Sequence, residues 1–183
     1  FEDQSRLPCI LVCNWSTGQM VWDLVEDLSG VLWNPANART ELVEGQQDTK
    51  ALTELLVGKI LDHEARAILL LGRTRHEGPA RLQLRAEVPK IDGQRRDHQS
   101  PGVVRATAPT ADILSAVKAA HVSLVASSDA EDDAGSHLLY SVMTALASTP
   151  EMPAVALLRF PASMGEVPVS HAVKATITVM TQH

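Results

Sequence analysis

The chain has 183 residues, 45% of them hydrophobic, and 16 basic against 22 acidic side chains give it a net charge of −6. That size and apolar content predict one domain spanning 1–183 with a substantial core, and no apolar run is long enough to cross a bilayer. The acidic balance opposes nonspecific attraction to nucleic acid or to an anionic membrane surface, so neither is an expected partner. The start at Phe1 lacks a basic segment followed by an apolar core, from which a trimmed, cytoplasmic protein is expected.

Pro8 to Cys13 is continuously apolar, the pattern of a central strand buried on both faces. Its two cysteines, Cys9 and Cys13, lie about 13 Å apart in extended chain, too far for a mutual disulfide. Ser16 to Leu28 predicts a helix with Met20, Val21, Leu24 and Leu28 on one face. Val31 to Trp33 and Thr40 to Val43 both have strand character around an Asn34-Pro35 turn, and at least one is expected to be a strand. Asp48 to His63 predicts a helix with Leu52, Leu55, Leu56, Ile60 and Leu61 inside, and Ala67 to Leu71 a second central strand stopped by Gly72.

Leu82 to Val88 alternates roughly apolar and polar, which suggests an edge strand or hairpin arm. Asp92 to Pro109 is charged and rich in Gly, Ser and Pro, and is expected to be a long loop. Thr110 to His121 predicts a helix with a capping residue at its start, and Val122 to Ala126 a third central strand. Gly135 to Ser148 is the next helix, Ala154 to Leu158 the fourth strand and Val167 to Met180 the last helix. Strands separated by helices imply a three-layer α/β/α sandwich with a largely parallel mixed sheet. No internal repeat or low-complexity tract interrupts the pattern.

The stretch from Ser127 to Tyr140 leaves a strand, turns through a polar segment and enters a helix, where an α/β protein places its active site. It resembles the nucleophile region of the pyroglutamyl peptidase (pyrrolidone-carboxylate peptidase) family of cysteine peptidases, whose pattern there runs S-N-D-A-G-x-x-x-C-N-H-x-x-Y. Ser127, Asp129, Ala130, His137 and Tyr140 agree in register. Weaker blocks follow the family's order from Ala67 to the end: Leu70-Leu71-Gly72, Leu82-Gln83-Leu84 followed by Ile91-Asp92, and Ala106 to Pro109 followed by Ile113. Leu157 to Pro161 and Val167 to Ser170 complete the series. The resemblance implies the family's fold, no cofactor, and association as a homo-oligomer.

In that register the catalytic positions are substituted: Gly135 stands at the cysteine, Arg159 at the histidine and Arg85 at the glutamate. Glycine offers no nucleophile and arginine stays protonated, so neither supplies the chemistry of a cysteine peptidase. The resemblance therefore implies a non-catalytic protein with a binding or interaction role. The alternative is an active hydrolase removing N-terminal pyroglutamate, with a different register or with Cys13 or Ser136 as relocated nucleophile.

Asn14, Trp15, Arg85, Gly135, Ser136, His137 and Arg159 are the candidate ligand-binding residues, and a small anion or a peptide is the candidate ligand. Two versions follow if Arg85 and Arg159 converge. They would pair with the acidic cluster Asp129, Glu131, Asp132 and Asp133 and close the crevice, or hold a carboxylate or phosphate with the Gly135 amide. The acids also suit helix capping, and their spacing lacks the glycine and later glutamate of a calcium loop. His76, His98, His121 and His171 have no metal-ligand spacing, and no metal is expected.

Overall fold

The computed structural model describes residues 7–14, 35, 37–44, 48–88, 102–131 and 133–182. In chain order the elements are β1 (Cys9–Asn14), β2 (Arg39–Glu44), α1 (Thr49–Leu61), β3 (Ala67–Thr74), β4 (Ala80–Gln83), β5 (Arg85–Glu87) and β6 (Val103–Arg105). There follow α2 (Thr110–Ala119), β7 (Leu124–Ser127), α3 (Ala134–Leu146), β8 (Ala154–Pro161) and α4 (Glu166–Thr181).

The main sheet has the order β2-β1-β3-β8-β4-β7, and β5 and β6 form a separate two-stranded ribbon. Strands β2, β1, β3 and β8 are parallel neighbours; β4 pairs antiparallel with β8 and parallel with β7, so β4 and β7 run the other way. The strand pleat sorts the core into two layers. Cys9, Leu11 and Cys13 of β1 face a cluster with Leu52 and Leu56 of α1 and Leu138, Leu139, Val142 and Leu146 of α3. Ile10 and Val12 face the opposite cluster, with Ile113 and Val117 of α2 and Val169, Val173 and Ile177 of α4. The result is a three-layer α/β/α sandwich around a mixed, largely parallel sheet.

Most expected elements are present with shifted ends. Thr40 to Val43 lies in β2, whereas the helix expected at 16–28 and the strand expected at 31–33 lie outside the described residues. β3 continues through Gly72 to Thr74 and β8 continues to Pro161, because the two pair in register to their ends. α1 is capped by Asp48, whose carboxylate accepts from the Ala51 amide at 2.7 Å. Thr110 is not the cap of α2: that position is Pro109, which makes no side-chain capping bond.

Three expectations are corrected. The alternating run from Leu82 to Val88 is two strands in two sheets, broken at Leu84, whose amide bonds Ser127 O while its carbonyl accepts from Ala106 N. The first of them, β4, is interior rather than an edge, and buries Gln83; the second, β5, is the hairpin-like arm, paired antiparallel with β6. The expected loop before Pro109 contains β6, a strand created by pairing with β5. The strand expected centrally at 122–126 is β7, at the edge of the sheet, where Val125 is exposed. No helix among the described residues is long and apolar enough to cross a membrane.

Candidate functional site: a buried arginine at the sheet end

Arg159 lies two residues before the end of the apolar strand β8, opposite Gly72 of β3, and is only 1% exposed. A buried charge in such a place requires partners for its whole hydrogen-bonding capacity. Arg159 has them. Nε donates to Gln83 Oε1 at 2.7 Å; Nη1 donates to Arg73 O at 2.9 Å and Asp133 Oδ2 at 2.7 Å; Nη2 donates to Asp133 Oδ1 at 2.7 Å and Ser136 Oγ at 3.0 Å. These contacts use all of the donors a guanidinium possesses. Glu131, 4% exposed, adds a second carboxylate 3.4 Å from Nε.

The acidic turn is fixed on both sides. Asp133 is the cap of α3, its Oδ1 accepting from the Ser136 amide at 3.1 Å while the same carboxylate receives the arginine fork. Burial pushes the Asp133 carboxyl up, but the Arg159 fork and the amides of Ser136 and Gly135 outweigh it and hold it below the ordinary carboxylate value. Glu131 accepts from Thr74 Oγ1 at 2.9 Å and the Arg75 amide at 3.0 Å, which ties the turn to the end of β3. Outside this network, His76 Nε2 lies 2.9 Å from Asp129 Oδ2.

Of the residues singled out in the sequence, Gly135, Ser136 and Arg159 meet here. Ser136 is 3% exposed, and its Oγ accepts from Gln83 Nε2 at 2.9 Å as well as from Arg159. An oxygen receiving two such donors is arranged as an acceptor, whereas a serine nucleophile passes its proton to a base. Arg85 does not join the fork. Its Nε donates to Ser128 O at 2.7 Å and its Nη2 to Glu87 Oε1 at 3.1 Å, and only its backbone carbonyl reaches the network, through Gln83 Nε2 at 2.8 Å. His137 is half-buried in the first turn of α3, its amide on Asp133 O.

Asn14 ends β1, and Trp15 lies outside the described residues. Cys13 is fully buried, and burial pushes its thiol up to about 12, which leaves it neutral rather than a thiolate. Both cysteines are free thiols. Among the described residues no group of three His, Cys, Asp or Glu side chains is placed to hold a metal ion.

Gln83 was not among the sequence candidates, although it bridges Arg159, Ser136 and the Arg85 carbonyl. A single amide inside the run Ala80 to Leu84 was its only signal. Glu131 and Asp133 stood in the acidic cluster, which the sequence offered both as helix-capping residues and as partners for Arg85 and Arg159; the structure pairs both with Arg159.

The chain superimposes on pyroglutamyl peptidase I from Bacillus amyloliquefaciens with a TM-score of 0.74 at 16% identity, covering 97% of this chain and 96% of that one. Pyrrolidone carboxyl peptidase from Thermococcus litoralis gives 0.74 at 12%, covering 96% and 94%. A mutant of the Pyrococcus furiosus enzyme gives 0.75 at 14%, covering 95% and 98%. The fold is that of the pyroglutamyl peptidases. No family model matches the sequence, and no curated protein matches it closely enough to count. Set on this pyroglutamyl-peptidase-like fold, the region that the sequence resemblance marks for a nucleophile holds the capped start of α3 and the arginine fork.

Proposed function

We propose that this chain is a non-catalytic protein on the pyroglutamyl peptidase fold, one domain over 1–183, and that it works by binding or interaction. One observation carries the reading: every guanidinium N–H of Arg159 is satisfied from within the protein, by Gln83, Arg73, Asp133 and Ser136. An arginine in that state neither accepts a proton nor has a donor left for an incoming carboxylate or phosphate. Because the Arg85 guanidinium is on Ser128 and Glu87 instead of beside Arg159, neither version that required the two arginines to converge applies, and Arg159 alone pairs with Asp133 and Glu131. The helix amides offer no substitute, since the carboxylate of Asp133 already takes them.

The second reading is an active hydrolase with a relocated nucleophile, and Ser136 is its best candidate because it touches both Gln83 and Arg159. Hydrolysis of a fluorogenic pyroglutamyl amide decides between them. The non-catalytic reading expects no turnover at high protein concentration. Turnover abolished by Ser136→Ala or by Cys13→Ala would establish a hydrolase and name its nucleophile.

A further inference from the structure

The ribbon beside the closed crevice carries an unusual charge arrangement. Its strands are antiparallel, with Arg85 opposite Arg105, Ala86 opposite Val104 and Glu87 opposite Val103. Ala86 and Val104 face inward, onto the layer that contains α3, whereas Glu87, Val103 and Arg105 are exposed and Arg85 is half-exposed. Successive strand residues alternate between faces, so both arginines stand on the outer one.

The ladder also sets how close they are. Ala106 N bonds Leu84 O and Val88 N bonds Gly102 O, which makes 84/106 and 88/102 hydrogen-bonded pairs. Such pairs alternate with non-hydrogen-bonded ones, so Arg85 and Arg105 form a non-hydrogen-bonded pair, the kind whose Cα atoms approach to about 4.5 Å and whose side chains lie closer. Like charges directly opposite destabilise a strand pair. Glu87 offsets part of that by taking Arg85 Nη2 at 3.1 Å, and Ser128 O takes Arg85 Nε at 2.7 Å. Arg105 makes no hydrogen bond or ion pair with any described residue.

We propose that the outer face of this ribbon binds a phosphate group, bridged between the guanidinium groups of Arg85 and Arg105. The proposal rests on the reading that the chain works by binding, and it places that binding outside the closed crevice. A carboxylate has two oxygens, which one fork exhausts, and Glu87 already supplies one to Arg85. A phosphate monoester presents three terminal oxygens and nearly two negative charges at neutral pH, enough to serve two facing forks. The net charge of −6 repels phosphate from the molecule as a whole, so binding requires a local site.

Titration calorimetry with inorganic phosphate in low-salt buffer tests this on the whole chain, with circular dichroism and thermal melts confirming that each variant is folded. Saturable binding is expected, weakened about tenfold or more by Arg105→Gln, which removes a charged hydrogen-bonding partner. Glu87→Gln should tighten it by removing a competing carboxylate, and Lys50→Gln, one exposed charge on α1, should leave it within about twofold if the site is local. Absence of saturable binding, equal weakening by Lys50→Gln and Arg105→Gln, or acetate binding as tightly as phosphate would each overturn the proposal. Free phosphoserine and a short peptide containing it separate the sources: tighter binding of the peptide assigns the face to a phosphorylated segment, equal binding to a small phosphate ester. The pyroglutamyl amide assay is independent of these titrations, so silent calorimetry with no hydrolysis removes the phosphate site alone, and hydrolysis removes the non-catalytic reading alone.

Discussion

Asp133 has two duties on one carboxylate, capping α3 and pairing with Arg159. Asp133→Asn separates them, because asparagine caps a helix about as well as aspartate but carries no charge for the guanidinium. The native state holds this carboxyl below its ordinary value of 3.8. Its contribution is thus fully present above that value and is lost as the pH falls below it. Urea unfolding from pH 7 to pH 2 should show the gap between the parent and Asp133→Asn constant at the upper end and closing in the acid range. A gap independent of pH would mean that the charge of Asp133 contributes nothing. Arg159→Leu is the harsher change, since it leaves Asp133 and Glu131 without their cation, and a loss of about 3–5 kcal/mol is expected in the same measurement.

At the scale of elements, the helices were legible because each carries its own period. Leu52 and Leu56 of α1, or Leu138, Leu139, Val142 and Leu146 of α3, repeat at helical spacing and are buried in place, whereas Leu55 and Leu61, expected inside α1, are 37% and 53% exposed. Strands β1, β3 and β8 were legible as central strands, whereas the places of β4 and β7 and the existence of β6 were not. Nothing local in Val122 to Ala126 distinguishes a central strand from the edge strand β7, and three residues of β6 acquire strand geometry only through β5. Pairing is a long-range property, and sequence windows do not contain it. Where a strand's burial was readable, a chemical consequence follows. β1 is interior and Cys13 is fully buried, so in a Cys9→Ser background its thiol should resist Ellman's reagent until the protein unfolds. Rapid labelling of the native protein would contradict the placement of β1.

For the molecule as a whole, the sequence resemblance led to the right fold, while of its three marked positions only Gly135 and Arg159 lie in one network. Gly135 and Arg159 both adjoin Asp133, whereas the expected convergence of Arg85 with Arg159 does not occur: Arg85 faces Ser128 and Glu87, and the interior partner is Gln83. The cause is the break at Leu84, which turns the chain from the main sheet into the ribbon and which no composition signal announces. A search for substituted catalytic residues by position alone would have placed two cations in one crevice. Arg159 is there, surrounded by acceptors, with Arg75 on the outer side of Glu131, and the Arg85 guanidinium is not.

The partners of Arg159 are far apart along the chain: Arg73 lies 86 residues away, Gln83 76 and Asp133 26. None of these contacts rewards the chain until β3, β4, β8 and the start of α3 have all been brought together, so the network belongs to the last stage of assembly. Its strength should therefore be felt almost wholly as resistance to opening. In stopped-flow experiments Asp133→Asn should steepen nothing and slow nothing on the refolding limb, while raising the unfolding rate by the full equilibrium loss. The acids and the arginine would then act as a clasp fastened after the fold is made, setting how long each molecule stays shut rather than how quickly it forms.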